Sequence, residues 1–215
     1  MFFERMCHMK KYIAIPGTNR AGSTNRRLLQ FIQHHFADQA EIEIMEIGGL
    51  PVFYKTSDRS LPAGVEQMVA KLAAADGVII STPEYDHGVP AVLMNALSWL
   101  SYGVHPLADK PVMITGASYG MLGTSRAQMM LRQMLDSPEL SARIMPSSEY
   151  MVGHSLQAFD EDGNLKEEEL VDRLDGLFND FETFVDVNKN LVYNREHAMN
   201  DIRKLDLKNM ATQGE

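Results

Sequence analysis

The 215-residue chain is predicted to be an α/β protein, a doubly wound five-stranded parallel sheet with helices on both faces. Three observations predict it. Short β-branched runs alternate five times with longer segments of helical period. The third run, Asp76 to Thr82, is apolar enough to be buried on both faces, as the centre of a parallel sheet requires. A composition of 45% hydrophobic and 23% charged residues can fill one core of this size and still solvate its surface.

The first run, Lys11 to Pro16, leads through a Gly, Thr and Ser loop into a helix over Asn25 to His35, with Leu28, Leu29, Ile32 and Phe36 at helical spacing. The second, Glu41 to Ile47, alternates isoleucines with acids and reads as an edge strand with one wet face. A long connection carrying Gly48, Gly49, Pro51 and Pro62 precedes a helix from Ala63 to Ala75. After the third run a helix starts near Pro90, where a missing N–H costs nothing, and closes at Trp99 and Leu100. Pro111 to Gly116 gives a fourth strand and Thr124 to Leu135 a fourth helix. Arg143 to Tyr150 is a weaker fifth strand, broken by Pro146, and Glu167 to Val187 is the last long helix. Flavodoxin-like strand order is the simplest arrangement of such units. Residues 1–10 are expected to be an N-terminal extension, 11–187 the domain, and 188–215 a docked C-terminal tail.

The formal charge of −9 is concentrated between Asp160 and Asp186, where eleven acids face only Lys166 and Arg173. The rest of the chain is balanced, with no basic stripe, which argues against nucleic acid as a partner. Apolar stretches such as Leu28 to Ile32 are far too short to span a membrane, and the N-terminus lacks a secretory pattern, so the expected location is cytoplasmic. One cysteine, Cys7, allows neither an internal disulfide nor a thiolate metal cluster. Asp160-Glu161-Asp162-Gly163-Asn164 is read as a turn, because its glycine is misplaced for a calcium loop. No metal site is expected.

In a doubly wound sheet, ligands bind at the C-terminal strand ends where the winding reverses. The loop after the first strand, Gly17 to Asn25, places hydroxyls, small residues and a guanidinium where helix-terminal N–H groups point outward, which suits an anion. It is neither a Walker loop nor a Gly-x-Gly-x-x-Gly turn, and Ser23 or Thr24 could simply cap the helix. After the third strand, Thr82 to Pro90 forms a proline-stiffened turn with an aromatic at its tip, a flat wall for a planar ligand.

The combination of Gly17-Thr18-x-Arg20-x-x-Ser23-x-Asn25 with Pro83-Glu84-Tyr85-Asp86 and Pro90-x-x-Leu93-x-Asn95-Ala96-Leu97-x-Trp99 resembles the NAD(P)H-dependent FMN reductase family, which includes quinone, azo-dye and chromate reductases. Gly116 to Gly123, followed by Arg126-Ala127-Gln128 and Leu131-Arg132, is similar to that family's glycine-rich segment and the helix after it. The resemblance covers residues 11 to 185. It implies that Thr18, Arg20, Ser23 and Asn25 hold the FMN phosphate, that Pro83, Glu84, Tyr85, Asp86 and His87 line the isoalloxazine, and that Ser118, Tyr119 and Gly120 close its other edge. The chain departs from the family pattern at Asp86, Gly88, Ala91 and Met94, where backbone contacts to the flavin would remain.

The activity implied is two-electron transfer from NADH or NADPH through FMN to a small acceptor (quinone, flavin, azo or nitro compound) by a ping-pong mechanism. No side chain stands out as a catalytic acid or base. Tyr85 and His87 are candidates, the first for stacking or mere packing, the second for proton donation or for shaping the entrance. Ser23 and Ser118 sit in no nucleophile elbow, which argues against a hydrolase. The alternatives are a flavin-binding electron carrier or redox sensor that docks a protein partner without nicotinamide turnover, and a core that binds no flavin. The resemblance also implies a homodimer or homotetramer, with residues 188–215 contributing to it.

Overall fold

The computed structural model describes residues 9–147 and 149–190; Cys7, most of the expected N-terminal extension and the tail beyond residue 190 lie outside them. The strands are β1 (Lys10–Pro16), β2 (Ala40–Ile44), β3 (Gly77–Ser81), β4 (Pro111–Ala117), β5 (Arg143–Ile144) and β6 (Tyr150–Val152). The helices are α1 (Thr24–His35), α2 (Ala63–Ala74), α3 (Ala91–Leu100), α4 (Ser125–Leu135) and α5 (Glu168–Asn190). All pairing is parallel, in the order β2-β1-β3-β4-β5, with β6 also on β4. This is the flavodoxin-like order, and the winding reverses at β1.

The alternation of side chains along each strand builds two cores. Tyr12, Ala14, Ile79 and Met113 face α1 and α5, meeting Leu28, Ile32, Leu174 and Phe181, with Phe36 stacked on Phe178 at 3.8 Å between centroids. Ile13, Ile15, Val78, Ile80, Val112 and Ile114 face α2, α3 and α4. Strands β3 and β4 are buried along their whole length, whereas β2 buries Ala40 and Ile42 and exposes Glu41 and Glu43, as an edge strand should.

The fifth strand is interrupted. Ser147 takes a φ of 56° just after Pro146, so the chain leaves the sheet after Ile144 and rejoins it at Tyr150 against the far end of β4. The last helix continues through Asn190, past the expected domain limit at residue 187. The long β2–α2 connection is pinned to α3, where Asn95 Nδ2 and Trp99 Nε1 both donate to the Pro51 carbonyl at 2.9 Å. Residues 160–164 close a tight turn, with the Asn164 N–H donating to Asp160 Oδ1 at 2.8 Å. Among the described residues no helix is long and apolar enough to cross a membrane.

Candidate functional site

The loops leaving the C-terminal ends of β1, β3 and β4 converge on one cleft of about 270 Å³. Its entry from β1 is fixed by backbone. Gly17 N–H donates to the Ser81 carbonyl at 2.8 Å, and a Cβ at Gly17 would lie 3.0–3.2 Å from Leu93, Thr82 and Ser81, so this position needs glycine. Thr18 is buried and accepts the Arg20 N–H through its hydroxyl, which closes the turn from behind. Ser23 is the N-cap of α1, its Oγ accepting the Asn25 N–H at 3.2 Å. The first turn of α1 contains no acid, which leaves its positive end uncompensated by the helix's own side chains.

Asn25 plays a different part from the phosphate contact that the resemblance implies for it. Its side chain is 1% exposed: Oδ1 accepts from Ser81 Oγ and from Ala117 N–H, and Nδ2 donates to the Ala117 carbonyl. One amide thereby holds the ends of β3 and β4 against the start of α1. Thr24 works in parallel, its hydroxyl 2.9 Å from Ser155 Oγ in the loop after β6.

In the β3–α3 loop, Tyr85 and Gly88 exchange both backbone hydrogen bonds, and the two residues between them, Asp86 and His87, have φ of 48° and 65°. Paired left-handed residues in a two-residue connection are the signature of a tight hairpin turn. Asp86 and His87 therefore stand at its exposed tip, while Pro83, Glu84 and Tyr85 line the cleft. The Glu84 side chain turns toward α4: Oε2 accepts the N–H groups of Arg126 (3.0 Å) and Ala127 (3.2 Å), and Oε1 pairs with Arg126 Nη1. Helix α4 needs this carboxylate. Its own N-cap residue, Thr124, sits at φ 77° and makes no side-chain cap. Met130 adds a second tie, its sulfur accepting the Val89 N–H.

In the β4–α4 loop, Ser118 Oγ donates to the Gly120 carbonyl and accepts the Gly123 N–H, so its hydroxyl shapes the loop. Tyr119 is half-exposed. Its hydroxyl receives a hydrogen bond from Arg20 Nη1, and that guanidinium lies 5.9 Å over the Tyr119 ring. Gly120 has open space around it.

Two contributors escaped the sequence reading. The β6–α5 loop supports the β4–α4 loop through Ser155 N–H to Ser118 O and His154 N–H to Gly120 O; its signal was a Gly-His-Ser run directly after a strand end. The other is Arg26, whose guanidinium is bidentate with Glu46 (2.6 and 2.8 Å) and also donates to the carbonyls of Thr18, Arg20 and Ala21. The Glu46 carboxylate, opposed in part by burial, holds that guanidinium above its ordinary pKa. Its signal was a cation in the first helical turn, where acids are favoured.

The family model described as NADPH-dependent FMN reductase matches residues 10–157. The chain belongs to this family. Within the NADPH-dependent FMN reductases it is 53% identical over 184 residues to a protein of Vibrio ruber named NADH:(hydroxy)cinnamate reductase subunit CrdA, covering 86% of this chain and 91% of that one. It is 43% identical to NADH-dependent flavin reductase subunit 2 of Lactobacillus johnsonii, covering 82% and 97%. A quinone reductase of Escherichia coli K12 is 32% identical, covering 84% and 97%. Among solved structures, the flavoenzyme NAD(P)H:(acceptor) oxidoreductase FerB of Paracoccus denitrificans superposes with a TM-score of 0.73 at 25% identity, covering 85% of this chain and 98% of that one. The chain is accordingly an oxidoreductase of a family that works with FMN and NAD(P)H.

Proposed function

We propose that this chain takes two electrons from NADH or NADPH through FMN held in the cleft and delivers them to a small acceptor in a ping-pong sequence. The flavin supplies the hydride chemistry; the chain supplies grip, orientation and access. The observation that carries the reading is that three loops well separated in sequence, at residues 20–25, 83–85 and 117–120, meet in one cleft, with an acid-free helix N-terminus at one side and two half-exposed tyrosines at its mouth.

The residues present fit FMN. The capped start of α1, with Ser23, Thr24 and the guanidinium of Arg20 around it, offers donors to a phosphate. Pro83 and the backbone of Glu84 and Tyr85 form one wall for a planar ring, and Ser118 to Gly120 form the other. Tyr85 and Tyr119 present flat surfaces to which nicotinamide and acceptor can dock in turn. His87, at the outer tip, has access to solvent-side protons rather than to the cleft floor.

The test is direct. The purified protein is expected to be yellow, to release FMN on denaturation, and to oxidise NADH or NADPH with a quinone, free flavin or azo dye, giving parallel double-reciprocal lines. A colourless protein that takes up no FMN in calorimetry overturns the reading. A second reading draws on the names of two relatives, each called a subunit: electrons then leave to a partner protein, and small acceptors are turned over slowly. Stoichiometric FMN with no NAD(P)H oxidation would favour the electron-carrier version. The exposed apolar side chains of Met121 and Leu122, directly after the cleft residue Gly120, and of Met129 on α4 suit a homodimer or a partner, which sedimentation of the purified chain separates.

A further inference from the structure

Arg26 is placed where helix electrostatics disfavour it. It is the third residue of α1, a cation beside the positive end of the helix, and its side chain is only 13% exposed. Two sets of contacts hold it there. Nε and Nη2 grip both oxygens of Glu46, in the segment after β2, and Nη1 and Nη2 reach the carbonyls of Thr18, Arg20 and Ala21. A peptide unit carries its C=O and N–H on opposite sides. Drawing the carbonyls of Thr18, Arg20 and Ala21 toward one guanidinium therefore turns the N–H groups of the same peptide units, those of Asn19, Ala21 and Gly22, away from it, where they are free to face an anion. The Glu46 carboxylate neutralises the guanidinium at a distance from the loop's other face, so a ligand there meets oriented dipoles and the exposed Arg20.

We propose that Arg26, backed by Glu46, is the positioning residue that presets the β1–α1 loop to receive a phosphate, and so makes the site select phosphorylated flavin. The inference rests on the FMN reading above and assigns its head-group selectivity to a residue that does not itself face the ligand.

The experiment compares FMN with riboflavin, which lacks only the phosphate, by calorimetry and flavin fluorescence on wild type, Arg26→Gln, Arg26→Lys and Glu46→Gln. Amide exchange of residues 18–23 is followed in the same proteins without flavin. Arg26→Gln is expected to weaken FMN binding about tenfold while moving riboflavin by less than about twofold, and to speed exchange in the loop. Arg26→Lys keeps the charge but not the fork, so it should recover only a small part of the loss, and Glu46→Gln should fall between. Equal weakening of both flavins would show a general structural role and overturn the proposal. Full recovery by lysine would also overturn it, because charge alone would then suffice. If the wild-type protein binds FMN and riboflavin equally, the phosphate reading of the loop fails; if wild type discriminates and Arg26→Gln discriminates as well, only the role of Arg26 fails.

Discussion

The two ends of the sheet solve opposite problems. At the N-terminal end charges are brought together in pairs: Lys10 with Glu182 (2.7 Å) and Asp186 (3.0 Å), Lys189 with Asp76 (2.9 Å), Arg143 with Asp109 (3.0 Å), and the Tyr12 hydroxyl with Glu182. A recess of about 400 Å³ lies among Asp76, Asp109, Lys110, Arg143 and Lys189. At the C-terminal end the cleft is smaller, about 270 Å³, yet hydroxyls and N–H groups, with the single guanidinium of Arg20, line its anion side. Volume is thus the poorer guide to function. The larger recess has its charges matched by neighbouring side chains. The smaller one commits its side chains to tying the loops together, Asn25 to the ends of β3 and β4 and Glu84 to α4, and keeps the acid-free start of α1 and the Arg20 guanidinium in its lining.

The comparison breaks most easily at Asn25. Asn25→Ala leaves Ser81 Oγ and both backbone groups of Ala117 without their partner in a buried place, and should cost about 3 kcal/mol in urea denaturation. FMN affinity is expected to fall by at least about tenfold, because the ends of β3 and β4 and the start of α1 lose their common tie. An unchanged flavin affinity would mean that the loops hold one another by other contacts. Glu84→Ala comes next. It uncaps α4 and should cost about 1 kcal/mol, with a severalfold loss of FMN affinity as the Pro83–Tyr85 wall loosens.

Both residues show where the sequence was legible and where it was not. The central strands were plain because Asp76 to Thr82 and Pro111 to Gly116 are continuous apolar runs. The position of the site followed, since strand ends fix where loops can converge. Side-chain duties were hidden. Asn25 reaches across 56 residues to Ser81 and 92 to Ala117, Thr24 across 131 to Ser155, and Glu84 across 42 to the start of α4. No local spacing encodes such pairs. The resemblance implied Glu84 as a flavin neighbour; the residue does line the cleft, while its carboxylate serves another helix. The split of the fifth strand was half visible: Pro146 marked the break, but the return of Tyr150–Val152 to the same neighbour depends on Ser147 entering the left-handed region.

Tyr12→Phe probes the opposite end. It removes the hydroxyl that Glu182 accepts from, in a place where burial and then that carboxylate push the phenol far above its ordinary pKa. About 1 kcal/mol of stability should be lost with FMN affinity unchanged, the reverse of the Glu84→Ala pattern in selectivity. A change in flavin binding would show that the two ends are coupled through β1.

Asp76→Asn sharpens the claim that paired charge, and not hydrogen-bond geometry, holds the N-terminal end. Burial works to raise the Asp76 carboxyl, but the Lys11 N–H, the bonded Lys189 and the nearby Lys110 outweigh it and hold the pKa below the usual aspartate value. The folded protein therefore binds this proton less readily than the unfolded chain. The stabilisation is complete above the unfolded value of about 3.9 and disappears as pH falls through the lower folded value. Solvent screening of Lys189 limits it to a few tenths of a kcal/mol. Asparagine keeps an acceptor for the Lys11 N–H and loses only the charge. The variant should be slightly less stable than wild type at pH 7, and the two should converge in urea denaturation as the pH falls through the lowered folded value of Asp76, where wild type becomes protonated as well. A gap that persists at low pH would assign the contribution of Asp76 to geometry, and the contrast between a charge-matched end and a donor-lined end would lose one of its pairs.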